Sequence, residues 1–208
     1  MSFPGRGMFA GILLLLAGVA VADDFPGVSV TPPATGAWVQ VQRTARSLVW
    51  MRRTDIENVS LGVALLTQPL ERAYASRDEF IDWVRRTKEA NPDPSRFRLV
   101  SNEMKPADGA LDTCVRYATV VEDAAAGGGP GGLLKLEVTG LACRHPGDSA
   151  RYFDIQYSTR MPVGNTLPGE LLGEARAFLD SVNFLAPPAD GDWSLGEGTS
   201  EHPRREAT

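Results

Sequence analysis

Residues 114–143, CVRYATVVEDAAAGGGPGGLLKLEVTGLAC, decide the fold. Two runs rich in β-branched and apolar residues, 114–122 and 133–143, flank a glycine-rich stretch from Gly127 to Gly132, the composition of two strands joined by a turn. Folding the runs back on each other about the midpoint between Gly128 and Gly129 sets Cys114 opposite Cys143. The same register sets Glu122 opposite Lys135, a favourable cross-strand charge pair. Two unrelated patterns therefore select one register. In it Val115, Tyr117, Thr119 and Val121 share a face with Leu134, Leu136, Val138 and Ala142, the expected core side. Cys114, Arg116, Val120 and Glu122 share the other face with Lys135, Glu137, Thr139 and Cys143. That face is mixed, as suits a helix edge or solvent.

Cys114 and Cys143 are the only cysteines, and their opposition across a hairpin reads as a structural disulfide formed in an oxidising compartment. Neither C-x-x-C spacing nor placement at a helix terminus is present to activate a thiol, so a redox or metal-binding role is set aside.

The N-terminus agrees on compartment. Residues 1–22 have the three parts of a secretory signal peptide. Arg6 is basic, Phe9 to Val21 (FAGILLLLAGVAV) is apolar, and Ala20-Val21-Ala22 supplies a small-x-small cleavage site before Asp23. The apolar run is 13 residues long, short of the roughly 20 that a membrane-spanning helix needs. The expected location is the periplasm or the exterior of a bacterium, with no transmembrane segment after cleavage. Among the 21 basic residues only Lys88, Lys105 and Lys135 are lysine, and this arginine bias, with the abundant Ala and Gly, is that of a GC-rich bacterial genome.

Around the hairpin, the chain of 208 residues has ordinary globular composition, 43% hydrophobic and 23% charged. The formal net charge of −5 argues against nucleic acid as a partner. Residues 23–36, rich in Pro, Gly and Thr, read as an irregular lead-in. Strand patterns follow at 37–42, 46–53 and 59–66. Leu48-Val49-Trp50-Met51 is apolar on both faces, as in a central strand. Ser76-Arg77-Asp78-Glu79 then forms a capping box ahead of Phe80, Trp83, Val84 and Thr87 at helical spacing, and Asn91-Pro92 ends that helix. Residues 96–104 return to strand alternation; the hairpin and a strand at 151–160 follow. A closing helix from Pro168 to Asn183 carries Leu171, Ala175, Phe178, Leu179 and Val182 on one stripe. From Pro187 to the end no periodicity remains, and a disordered tail is expected.

The expected order is β-β-β-α-β-β-β-β-α over residues 37–186. That is a single α+β domain with a mostly antiparallel sheet of six to seven strands and two packed helices, sharing one sheet face or lying one on each. This run of elements, with a last helix closing on Phe178-Leu179-Asp180-Ser181-Val182-Asn183-Phe184, resembles the PsbP/Mog1-like α/β/α sandwich superfamily over residues 36–186. It also looks like uncharacterised exported proteobacterial proteins with the same Cys pair. The resemblance implies binding or accessory roles rather than catalysis, and it transfers no functional residue.

The chemistry offered by single residues is sparse. His145 and His202 are the only histidines, and neither H-E-x-x-H nor a paired C-x-x-C occurs. No G-x-S-x-G elbow or Walker loop is present, and GGGPGG lacks the Lys-Ser/Thr and the helix of a phosphate cradle. The best catalytic constellation would join His145, Asp148, Ser149 and Asp154. The same stretch, Cys143-Arg144-His145-Pro146-Gly147-Asp148, reads as the turn after a strand, and that reading is preferred. No catalytic, cofactor-binding or metal-binding residue is assigned, and no cofactor is expected.

Two surface readings remain. Arg43, Arg46, Arg52 and Arg53 with Arg85, Arg86 and Lys88 make a basic patch if they meet in space. Trp38, Trp50 and Trp83 line a ligand groove if they do not all belong to the core. The expected function is a non-catalytic exported binding or accessory module for another envelope component. A periplasmic carrier of a small apolar ligand is the alternative, and an enzyme without a recognisable motif the third.

Overall fold

The hairpin register predicted from the two cysteines is the one the protein adopts. In the computed structural model, which describes residues 23–34, 38–90, 93–124, 133–189, 191 and 193, strand β7 (Cys114–Asp123) pairs antiparallel with β8 (Leu134–His145). Cys114 lies opposite Cys143, Glu122 opposite Lys135, and the disulfide joins the first pair. The glycine-rich tip, the expected signal peptide and Asn91-Pro92 lie outside the described residues.

The remaining strands extend this hairpin into one sheet. They are β3 (Val39–Thr44), β4 (Ser47–Arg53), β5 (Ser60–Pro69), β6 (Phe97–Pro106) and β9 (Asp148–Pro162). The order is β3-β4-β5-β9-β8-β7-β6, with every neighbouring pair antiparallel. Two meanders thus meet where β9 returns beside β5. The 15-residue β9 holds the centre, not β4. Leu48 and Trp50 on β4 are buried, while on its second face cover fades along the strand, from buried Ser47 through half-buried Val49 to Met51, 45% exposed, because β4 is next to the edge.

The helices take opposite faces. Helix α1 (Arg77–Glu89) starts as its capping box requires: the Ser76 hydroxyl accepts from the Glu79 N–H at 3.1 Å. The Glu79 carboxylate reaches one residue beyond the cap, to the Ala75 N–H at 2.8 Å. Phe80, Ile81 and Val84 pack on Val115, Tyr117, Ala142 and Tyr152. Helix α2 (Gly169–Asp180) sets Leu171, Ala175, Phe178 and Leu179 on the other face, against Leu65, Leu141, Phe153 and Ile155. Cys114 and Cys143 belong to this second core, so the hairpin face expected to be mixed is fully buried at its cysteine end.

Three further segments depart from expectation. Residues 23–36 do not run as an irregular lead-in throughout: β1 (Asp23–Phe25) and β2 (Val28–Val30) form a hairpin about Pro26-Gly27, with Gly27 at φ 77°. Phe25, Val28 and Val30 drive this by burial in the α2-side core, and three-residue strands are too short to show a period. The closing helix stops at Asp180 rather than Asn183, since Asn183–Phe184 form β10 and pair with β2. Ser181 fastens the corner: its hydroxyl accepts from the Thr31 N–H at 2.9 Å. In the expected tail, Trp193 is buried against His145 and Phe153, so that residue is anchored to the core, while 194–208 lie outside the described residues.

Candidate functional site

His145 ends β8 with its ring in the α2-side core. The Gly147 N–H donates to Nδ1 at 3.0 Å, so the proton sits on Nε2, which is shared between the carbonyls of Gly27 and Leu185 at 3.0 Å each. Phe153, Phe184 and Trp193 surround the ring. Asp148 accepts from the Ala150 N–H at 3.0 Å as a turn residue, and Ser149 is exposed. Asp154 projects from the opposite face of the sheet, towards α1. The constellation His145, Asp148, Ser149 and Asp154 is therefore not assembled, and His145 ties three chain segments together.

Asp154 belongs to a cluster whose members lie far apart in the sequence. Lys88, on the last turn of α1, reaches Asp154 Oδ2 at 2.5 Å and the Tyr117 hydroxyl at 2.9 Å. The Tyr117 hydroxyl lies 2.6 Å from Asp154 Oδ1 and 3.1 Å from Gln156 Oε1. Burial first, then the charge of Asp154, push the Tyr117 phenol well above its ordinary ionisation range. The phenol is thus a fixed donor to Asp154, not a base in waiting. Gly140 makes the space, because a Cβ there would fall 2.5 Å from the Tyr117 ring. A glycine opposite a tyrosine in the predicted register is the one signal that pointed here.

A second buried carboxylate, Asp123, takes a bidentate contact from Arg96 at 2.9 and 3.0 Å and another from Arg160 at 2.5 Å. These acids are held by cations within the fold, as buried charges must be. Among the described residues, no group of His, Cys, Asp and Glu is arranged to hold a metal ion. No helix among them is long and apolar enough to cross a membrane.

The tryptophans do not converge. Trp50 lies in the α2-side core, and Trp38 packs edge-on against Tyr157 and donates to Glu174 at 2.9 Å. Trp83 is on the other side of the sheet, among Tyr74, Phe80 and Tyr152. Beside Trp38's partner, α2 and residues 31–34 enclose a cleft of about 680 Å³, lined by Pro32, Pro33, Ala177, Phe178, Arg52 and Glu174 among others.

Several of the basic residues are taken up by separate partners. Lys88 points inward to Asp154, Arg85 pairs with Asp82, and Arg52 pairs with Glu174 at 3.4 Å. Arg43 and Arg46 lie instead at the turn of the β3–β4 hairpin, both exposed, with Arg151 close enough to feel the charge of Arg46.

That hairpin also leaves a margin of the sheet uncovered. Every residue of β3, VQVQRT, is exposed, and among the described residues no strand lies beside its outer edge. Val39 is 59% and Val41 53% exposed; Met51, opposite Val39, adds a third uncovered apolar side chain. Single exposed apolar residues are common, but a cluster on a free strand edge has the form of a binding surface.

No protein-family model matches the chain, and no curated protein matches it.

Proposed function

We propose that this protein is an exported, non-catalytic module of the bacterial cell envelope that binds another envelope component. The observation that carries the reading is the β3–β4 hairpin: a free edge with Val39, Val41 and Met51 uncovered on a domain otherwise cored on both sheet faces. Other features support it. The buried disulfide belongs to an oxidising compartment, and residues 1–22 have the pattern of a cleaved export signal. The Lys88–Asp154–Tyr117 and Arg96–Asp123–Arg160 clusters hold elements of the fold together.

Two results test the reading. Protein recovered from the envelope begins at Asp23 on N-terminal sequencing. Capture of the tagged protein from cross-linked envelopes yields one partner in near-stoichiometric amount. A clean monomer with nothing attached counts against the accessory role.

The alternative, a carrier of a small apolar ligand, is favoured by the cleft between α2 and residues 31–34, whose volume of about 680 Å³ is in the range of small-molecule sites. It predicts that lipid extract alters tryptophan fluorescence through Trp38 and that Ala177→Phe, which fills the cleft, abolishes the response.

A further inference from the structure

The two edges of the seven-stranded sheet are unlike. Strand β6 carries Arg98, Glu103 and Lys105, ends at Pro106, is interrupted by a bulge between Leu99 and Ser101, and lies against α1. Charges, proline and bulges are the devices that stop a sheet edge from pairing with another chain. Strand β3 has a bulge between Gln40 and Gln42, yet from Val39 to Gln42 it carries no charge and no proline. The β6 edge is guarded by charge and proline, although Leu99 and Val100 on it are exposed; the β3 edge from Val39 to Gln42 has no such guard.

Charge gives the open edge a direction. Arg43 and Arg46 stand at its C-terminal end, on a chain whose formal net charge is −5; Arg43 also donates to the Asp24 carbonyl oxygen at 3.4 Å, and Arg46 lies close enough to Arg151 to feel its charge. Asp148 is the acid near Arg151. An extended chain lying on β3 would meet an apolar, neutral stretch and then a basic end.

We infer that β3 is an acceptor edge for an extended segment of the partner, which adds antiparallel as an eighth strand, with apolar β-branched residues beside Val39 and Val41 and acidic residues beside Arg43 and Arg46. The inference rests on the binding-module reading and names the partner's chemistry. Main-chain hydrogen bonds supply the attachment, alternate side chains the choice of sequence, and the arginines the polarity. Antiparallel addition continues a sheet in which every pair is already antiparallel.

The test uses the purified protein and a fluorescein-labelled peptide of about six residues, alternating valine and threonine, with two glutamates at its N-terminal end. Antiparallel pairing sets that end beside Arg43. Fluorescence polarisation should show saturable binding, weakened at least tenfold when lysines replace the glutamates and abolished by N-methylation of alternate peptide amides. R43E/R46E should reverse the preference in favour of the lysine peptide. Val41→Pro, at a residue without a register partner on β4, should remove binding while leaving the melting temperature close to that of the parent. Lys105→Glu on the far edge should change nothing. The inference is overturned if neither peptide binds, if both bind alike, or if a Val41→Cys protein oxidises to a dimer through that residue, which would make a second copy the occupant. Envelope capture separates the two levels. A partner recovered equally by the parent and by Val41→Pro sinks the edge while sparing the binding module. No partner with either protein sinks the module.

Discussion

Lys88 illustrates what a single side chain does here. Its ammonium and the Asp154 carboxylate are both mostly buried, and each is compensated by the other and by Tyr117. Removing the ammonium leaves the largely desolvated Asp154 carboxylate with the Tyr117 hydroxyl but no counter-ion, so Lys88→Met should cost about 3–5 kcal/mol. The thermal midpoint should drop by several degrees or more, and Asp154→Leu added to it should recover part of the loss. A melting temperature unchanged in Lys88→Met would mean that the cluster is hydrated and structurally idle. The tyrosines offer a second check. All four, Tyr74, Tyr117, Tyr152 and Tyr157, are raised above their ordinary values, in each case chiefly by burial. A raised folded value means that the folded state holds its protons longer. The stabilisation is complete below about pH 10 and is lost as pH climbs beyond it. Phenolate absorbance should therefore appear together with loss of near-ultraviolet circular dichroism. Phenolate near pH 10 in a still folded protein would contradict the burial. At this scale the hairpin register was legible, because symmetry of Cys114 and Cys143 and of Glu122 and Lys135 is local information. The Lys88–Asp154 pair was not, since its partners come from α1 and β9 and only the finished sheet brings them together.

Elements were legible in proportion to how much of their own signal they carry. Helix α1 announces itself through Ser76, Glu79 and its apolar stripe, and it forms where expected. The end of α2 was misplaced because Val182 continues the helical stripe, while the pairing of Asn183–Phe184 with β2 prevails once the chain has folded. The β1–β2 hairpin was missed for the same reason: two three-residue strands show no period, and their stability comes from Phe25, Val28 and Val30 in a core made by other elements. The β7–β8 hairpin is the element whose contribution can be measured most simply. Its disulfide closes a loop with a sequence separation of 29 residues, which constrains the unfolded chain by about 3.5 kcal/mol in the chain-entropy model. The double replacement of Cys114 and Cys143 by alanine should lower stability by about that amount in urea titration. Both sulfurs lie within the α2-side core, so cavity formation adds to the loss. Full retention of stability would show that the bridge constrains nothing.

At the scale of the whole molecule, the class was readable and the arrangement was not. Strand and helix patterns specify an α+β domain; nothing in them says that β9 returns between β5 and β8, that β4 lies next to an edge, or that the helices divide between faces. Those facts decide the surface. They set Trp83 on the other side of the sheet from Trp38 and Trp50 and leave every residue of β3 exposed. The candidate docking edge was thus visible in the sequence only as a strand pattern at residues 37–42 and a run of arginines, with no sign that they would form a free margin. The most direct test of that margin is photo-crosslinking in intact cells, with a benzophenone amino acid placed in turn at Val39, at Met51 and, on the far edge, at Lys105. One discrete adduct of the same mass is expected from Val39 and Met51, and none from Lys105. No adduct from the β3–β4 positions, or the same adduct from Lys105, would contradict a docking edge at β3.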